Sequence, residues 1–387
     1  QFGDNALRDV INADKYDPHV LMAANLAGIN ADEGQRRHKA KDKRFKELRT
    51  LAKACFHPDT EVLTKEGWKR IELLADGEEV MAAQPDDTTG KVRVMWQKPL
   101  QLTSRESPVG ELVHLKNEGM DLRVTPDHRM LGFRQNGTHK VVMPEALNNC
   151  RAWKNAGVFE DGTEAPNEWL LRLAVATQAD GNYNGQRIRF GFTKRRKIRR
   201  MHTLLGCTDY EVSTHSNGKN PAVTAFTVPA GISARVKGML TPQKQLPWSW
   251  LGLDKASRDV VLEEVVCWDG SVHEKWTQGK YCSTDRQSVE VVQALATMSG
   301  RKTRLTDHAD SRGNRKVLYS LSIKDHARSR GGNLQVERVP YTGKVVCLSV
   351  PSTFIIARDG GVPVVVGQCN FGYPGGLGHK TFVDFAK

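Results

Sequence analysis

Three residues have the chemistry to cut a stretch of chain out of itself. A Cys thiol can attack the carbonyl that precedes it, giving a thioester by an N-to-S acyl shift. The shift runs uphill in a relaxed peptide, so a fold must distort the amide and stabilise the developing oxyanion. A second thiol can then take the acyl group, which divides one hard step into easier ones. A side-chain amide at the end of the stretch can close on its own backbone carbonyl and release it. Cys55, Gln368 and the adjoining Cys369 are of these types. The remaining cysteines are Cys150, Cys207, Cys267, Cys282 and Cys347. Their wide spacing without a CxxC pair speaks against zinc and for a reducing cytoplasm, where single thiols serve as nucleophiles.

The text around these residues changes character in a nested order. Residues 1–54 read as helical, with Ala, Leu and Arg/Lys recurring. From Cys55 to about Ala152 short Val/Leu/Ile runs alternate with Gly, Asp and Pro turns, which predicts strands at Glu61–Thr64, Glu79–Ala82, Lys91–Trp96 and Glu111–Lys116. From about Asn167 apolar helix-like runs take over at Trp169–Ala179, Val260–Trp268 and Ser288–Met298, interleaved with basic hairpins. Two of these runs end in Asp-Gly, at Asp180-Gly181 and Asp269-Gly270, which suggests an internal duplication. Strand text returns at Lys344–Val350, Thr353–Ala357 and Val362–Val366, and the chain ends in Gly-rich and then helical text. Helical, β, α/β, β, helical is the order expected of one domain inserted in another that lies within a third.

Four ordered motifs resemble those of inteins, the Hint-type protein-splicing elements. Cys55-Phe56-His57-Pro58-Asp59-Thr60-Glu61-Val62 is similar to the amino-terminal motif, and Val124-Thr125-Pro126-Asp127-His128 to the TxxH motif. Val345-Val346-Cys347-Leu348-Ser349-Val350 and Val364-Val365-Val366-Gly367-Gln368 before Cys369 are similar to the two carboxy-terminal motifs. The resemblance implies an all-β, horseshoe-like splicing domain formed by residues 55–152 and 333–368. It implies that Thr125 and His128 hold and protonate the Ala54–Cys55 amide. Splicing needs no cofactor. Two departures stand out. Gly367-Gln368 replaces the usual His-Asn, so no penultimate imidazole serves as general acid. Cys347 stands where Asp is common, either as a further acyl acceptor or junction-tuning group, or as a buried strand residue.

The flanks tell a second story when Ala54 is joined to Cys369. The text Arg49-Thr50-Leu51-Ala52-Lys53-Ala54-Cys369-Asn370-Phe371 is similar to the nucleotide-binding helix of family A DNA polymerases. A spacing of four puts Arg49 and Lys53 on one helical face, and Phe371 follows after ligation. Neither flank carries the match alone. Residues 1–54 and 369–387 are thus expected to be polymerase segments, and the chain, which starts at Gln1, to be an internal fragment.

Leu173-Ala174-Val175-Ala176-Thr177-Gln178-Ala179-Asp180-Gly181 resembles the LAGLIDADG motif of homing endonucleases, and Leu262–Gly270 is a poorer second copy. That family implies an α/β endonuclease domain over 167–331, in which Asp180 and Asp269 bind Mg²⁺ and activate water. The structural alternative is that Asp-Gly ends many ordinary core helices. The net charge of +13 points to a polyanionic partner. Lys194, Arg195, Arg196, Lys197, Arg199 and Arg200 fall within seven residues, with Arg187 and Arg189 just before, and suit the phosphates of double-stranded DNA. Lys275, Lys280, Arg286, Arg301, Lys302 and Arg304 suit the second half. The sequence-based expectation is a cytoplasmic monomer with no membrane span, which splices itself and whose inserted domain cuts DNA. The competing expectations are an endonuclease with an inert splicing half, a hedgehog-like module that cleaves without ligating, and a non-catalytic DNA-binding module.

Overall fold

The computed structural model describes residues 20, 24, 28–42, 55–86, 88–107, 110–165, 167–215, 222–273, 278–309, 316–330 and 332–368. The chain divides into two compact units, one of residues 1–64, 68–154 and 328–387, the other of 65–67 and 155–327. Among the described residues no helix is long and apolar enough to cross a membrane.

The first unit is built of antiparallel strands from Cys55 onward. Its main sheet runs in the order Val92–Gln97, Val80–Pro85, Glu61–Thr64, Phe354–Asp359, Val362–Gly367, Met130–Phe133, Ala152–Lys154, Arg328–Arg330. Strands from both ends of the unit's sequence lie at its centre: Val62 pairs with Ala357, and Ile355 with Ala82. Val362–Gly367 is buried at every position, the unbroken apolar pattern of a strand covered on both faces. Gln335–Pro340, Glu111–Asn117 and Met120–Val124 make a three-stranded sheet, and Lys344–Ser349 pairs with Gln101–Glu106. One core links these sheets through Phe56, Val62, Val113, Leu122, Trp153, Val346, Ile355 and Val364. In the amino-terminal flank, helix α1 (Ala31–Lys39) starts at Asn30, whose side chain accepts from the Glu33 amide. The rest of that flank lies almost wholly outside the described residues, as does all of 369–387.

The second unit repeats one pattern twice. Helix α2 (Glu168–Asp180) leads to strands Asn182–Asn184 and Arg187–Phe192, helix α3 (Arg195–Leu205), strands Glu211–His215 and Val223–Val228, and helix α4 (Ala230–Gly238). Helix α5 (Lys255–Asp269) leads to Gly270–His273 and Gln278–Ser283, helix α6 (Arg286–Met298), then Lys302–His308 and Leu318–Lys324. Both four-stranded sheets have the order first, second, fourth, third. The duplication suggested by the Asp-Gly pairs is therefore a duplication of topology. Helices α2 and α5 lie against each other, burying Leu173, Ala174 and Ala176 on one and Val261, Leu262 and Val265 on the other. Gly270 is obligatory at this point: a Cβ there would stand 2.4 Å from the Lys280 carbonyl and 2.7 Å from Val266 Cα.

A fully buried carboxylate braces the repeat. Glu264 on α5 accepts from Arg172 of α2 at 3.1 Å, from Arg200 of α3 at 3.0 Å and from the Trp268 indole at 2.8 Å. Removing one side of such a network leaves unpaired charge in the interior. Glu264→Ala should lower the stability of the second unit by about 3–5 kcal/mol, read by urea unfolding.

Candidate active site

The amino-terminal junction residue is held from three sides. Cys55 is fully buried. Its N–H donates to Thr125 Oγ1 at 3.0 Å, and the Thr125 N–H donates to the Cys55 carbonyl at 3.0 Å. The Thr125 hydroxyl also lies 3.4 Å from that carbonyl. One side chain therefore grips both polar groups of the Cys55 backbone. The next residue is bound to the carboxy-terminal strand: Phe56 and Val346 exchange N–H···O bonds of 2.8 and 2.9 Å. That exchange brings Cys347 beside Cys55, with Cα atoms 4.5 Å apart, and the two are joined as a disulfide. The expectation of single thiols is corrected here, because the register places the two sulfurs at one spot. Arg105 Nη2 donates to Cys55 Sγ at 3.4 Å, so a cation stands ready to favour the thiolate on reduction.

His128 joins the two ends of the segment. Its ring is fully buried, edge-on to Phe56 with centroids 4.4 Å apart, and lies beside the backbone of both Cys55 and Gly367. Neither ring nitrogen reaches full hydrogen-bond geometry, so these are near approaches and not formed bonds. Burial holds its pKa down at about 3; the Cys55 and Gly367 backbones pull the other way, and Arg129 adds a push downward. Near neutral pH the ring is therefore uncharged. Burial also raises the Asp127 carboxyl, against hydrogen bonds and Arg105.

At the carboxy-terminal junction the Gly367 N–H donates to the Arg129 carbonyl at 2.8 Å. A Cβ on Gly367 would lie 2.6 Å from that same oxygen, so no larger penultimate residue fits without displacing backbone. Gln368 is fully buried, and its carboxamide is clamped on Val350: Oε1 accepts from the Val350 N–H and Nε2 donates to its carbonyl, both at 2.5 Å. The structure thus collects Cys55, Thr125, His128 and Cys347 around one junction, with Gly367 of the other facing His128. Cys369, Arg49, Lys53 and Phe371 lie outside the described residues.

In the second unit Asp180 and Asp269 end the paired helices α2 and α5. Between them stands the Lys197 ammonium, 2.5 Å from Asp180 Oδ2 and 3.1 Å from Asp269 Oδ1. Lys197, expected from the sequence to meet phosphate, is buried here and is the ion-pair partner of both carboxylates. Arg196 is exposed and donates to the Cys267 and Trp268 carbonyls at the end of α5. Arg187 is exposed but paired with Glu211. Arg189, Lys194 and Arg195 are exposed. The expected Mg²⁺ fits this donor set poorly, since an ammonium already bridges the two carboxylates. Among the described residues no group of three or more His, Cys, Asp or Glu could hold a metal.

Sequence reasoning missed Arg105, Lys197 as an inward group, and the Val350 clamp. The first two depend on strand register and helix phase, and the clamp on backbone groups that carry no side-chain signature.

No family model matches the chain. It is 24% identical to the ribonucleoside-diphosphate reductase subunit beta of Aquifex aeolicus (strain VF5), over 82% of this chain and 50% of that protein. It is 20% identical to the DNA-directed RNA polymerase subunit beta C-terminal section of Stigeoclonium helveticum, over 81% and 36%. The chain thus spans half or less of these curated relatives. Among solved structures, an AceL NrdHF class 3 split intein aligns at a TM-score of 0.31 and 13% identity, over 81% of this chain and 97% of that one. The N-terminal LAGLIDADG domain of DUF199/WhiA aligns at 0.29 and 12% over 41% and 76%, and I-DmoI in complex with DNA and Mn at 0.29 and 13% over 41% and 89%. Structural likenesses this distant carry no argument.

The buried imidazole makes stability depend on pH. The folded pKa of His128 lies below the unfolded value, so the unfolded chain binds more protons between about pH 3 and 6.5. Stability is complete above pH 6.5 and falls toward pH 3 with a slope of about 1.4 kcal/mol per pH unit from this group. Denaturant unfolding of the first unit across that range should show the slope, and His128→Leu should reduce it by that amount.

Proposed function

We propose that the chain excises Cys55–Gln368 from itself and joins Ala54 to Cys369. The observation that carries this reading is His128, an uncharged imidazole buried against the backbones of Cys55 and Gly367 at once. A proton carrier between two cut points needs that placement.

On reduction the Cys55 thiol attacks the Ala54 carbonyl carbon and the C–N bond opens. Thr125 fixes the Cys55 amide, the uncharged His128 takes the thiol proton and passes it to the released nitrogen, and Arg105 favours the attacking thiolate. The Cys369 thiol then takes the acyl group from sulfur to sulfur. The Gln368 Nε2 attacks its own carbonyl, closing a six-membered imide and freeing the Cys369 amine. An S-to-N shift restores a peptide bond. Cys347, alongside Cys55, is a second thiol within reach of the first acyl transfer. Before the last step Gln368 must leave both hydrogen bonds to Val350, so cyclisation is the slow stage.

Ligation would complete a polymerase-like helix carrying Arg49, Lys53 and Phe371. The second unit reads as a DNA-binding module of endonuclease design, with Arg189, Lys194 and Arg195 exposed to meet phosphates. That two curated relatives of unrelated name each align along four fifths of this chain fits an element carried by different hosts.

Intact mass of the purified chain with and without a dithiol reductant tests the proposal. The reduced chain should yield free Cys55–Gln368 and a ligated product of the flanks, while the oxidised chain stays whole. Cys55→Ala should yield neither product, and His128→Ala should slow upstream cleavage on the order of 100- to 10,000-fold. An intact reduced parent would refute splicing. Upstream cleavage without ligation would instead support the cleavage-only reading favoured by the Gln368 clamp.

A further inference from the structure

The carboxylate pair of the second unit already has its cation. Lys197 is 7% exposed and reaches both Asp180 and Asp269. A second ammonium stands close by: Lys244 donates to the Gly181 carbonyl at 2.6 Å. Burial lowers its pKa, while Asp180 and Asp269 pull it back up. Two carboxylates therefore face two ammoniums, and the cluster is neutral as it stands. A divalent ion needs oxygens at about 2.0–2.1 Å in the octahedral geometry that magnesium demands. The Lys197 nitrogen sits between the two oxygens that would have to supply them. To enter, the ion would have to expel Lys197 from a buried site and bring its own positive charge next to Lys244. Leaving a buried ammonium unpaired is expensive.

We propose that Lys197 is the resident counter-cation of this centre and excludes divalent metal from the Asp180–Asp269 pair in the free protein. The pair is thus poised as a cation site that opens when Lys197 withdraws. The inference rests on the geometry of the second unit alone. It is read by metal binding, so it can fail or hold independently of splicing and of DNA cleavage.

Mn²⁺ titration of the full chain, followed by the electron paramagnetic resonance of free Mn²⁺ and by the melting temperature, tests it. The parent should bind no Mn²⁺ at this pair and show no thermal shift. Lys197→Met should gain one ion, bound at least about tenfold more tightly than by the parent, and melt higher as Mn²⁺ is added. Asp180→Asn in that background should abolish the gain. Lys197→Gln, which keeps a hydrogen-bonding head without charge, gives the same reading should the Met variant not fold. Parent and folded variant binding Mn²⁺ equally at the pair would overturn the proposal, as would a folded variant that gains no ion.

Discussion

Two backbone hydrogen bonds between Phe56 and Val346 hold the chemistry of the first unit together. They join positions separated by almost the whole length of the segment. Closing so long a loop costs chain entropy that grows only slowly with length, so an inserted domain of any size adds little to the cost. The return comes from burial: Phe56, Val346, Val124 and Val62 share one apolar core. Once Phe56 is in register, its neighbours follow. Cys55 meets Cys347, and Thr125 meets the Cys55 backbone, because Phe56 also bridges Val124. The junction is therefore positioned by sheet register, and a one-residue slip would turn every one of these side chains to the opposite face.

Much of this was legible in the residues. The Val-rich runs became Lys344–Ser349, Phe354–Asp359 and Val362–Gly367 within a residue or two of their expected ends. Strict local patterns carry such information. What did not show was pairing across distance. Nothing in Gln101–Glu106 says that it lies against Lys344–Ser349, so nothing said that Arg105 would reach Cys55 Sγ. The disulfide was hidden for the same reason. Cysteines 292 positions apart give no local sign of meeting.

The basic run on α3 shows how composition misleads where periodicity would not. Six cations in seven residues read as one phosphate-binding surface. A helix has a period of 3.6, and this one buries Lys197, Met201, Leu204 and Leu205 along a single stripe. Lys197 lies on that stripe, with Arg200 at its edge reaching the buried Glu264, while Arg195 and Arg199 point to solvent. Two of the six cations, Lys197 and Arg200, therefore balance carboxylates of the same unit. The net charge of the chain overstates what is available to a partner, and the exposed face of strand Arg187–Phe192, which carries Arg187 and Arg189, matters correspondingly more.

The unusual Gly367-Gln368 ending makes sense in the same physical terms. A penultimate side chain would collide with the Arg129 carbonyl, and that carbonyl is not free to move, because it accepts the Gly367 N–H. Any general acid for this junction must therefore come from outside the strand. The turn that supplies Arg129 also supplies Thr125 and His128. Within five residues it binds the Cys55 amide, buries an imidazole between the two junction backbones and pins Gly367. A glycine at the penultimate position is thus the consequence of a turn that serves both ends at once. The longer Gln368 side chain fits this arrangement, since its carboxamide spans to Val350 and pairs there as a backbone amide would. The same clamp holds the Gln368 carboxamide on Val350. Under the proposed splicing it would restrain the last cut until acyl transfer is done, the order that ligation would require, since release before acyl transfer would leave the two flanks apart.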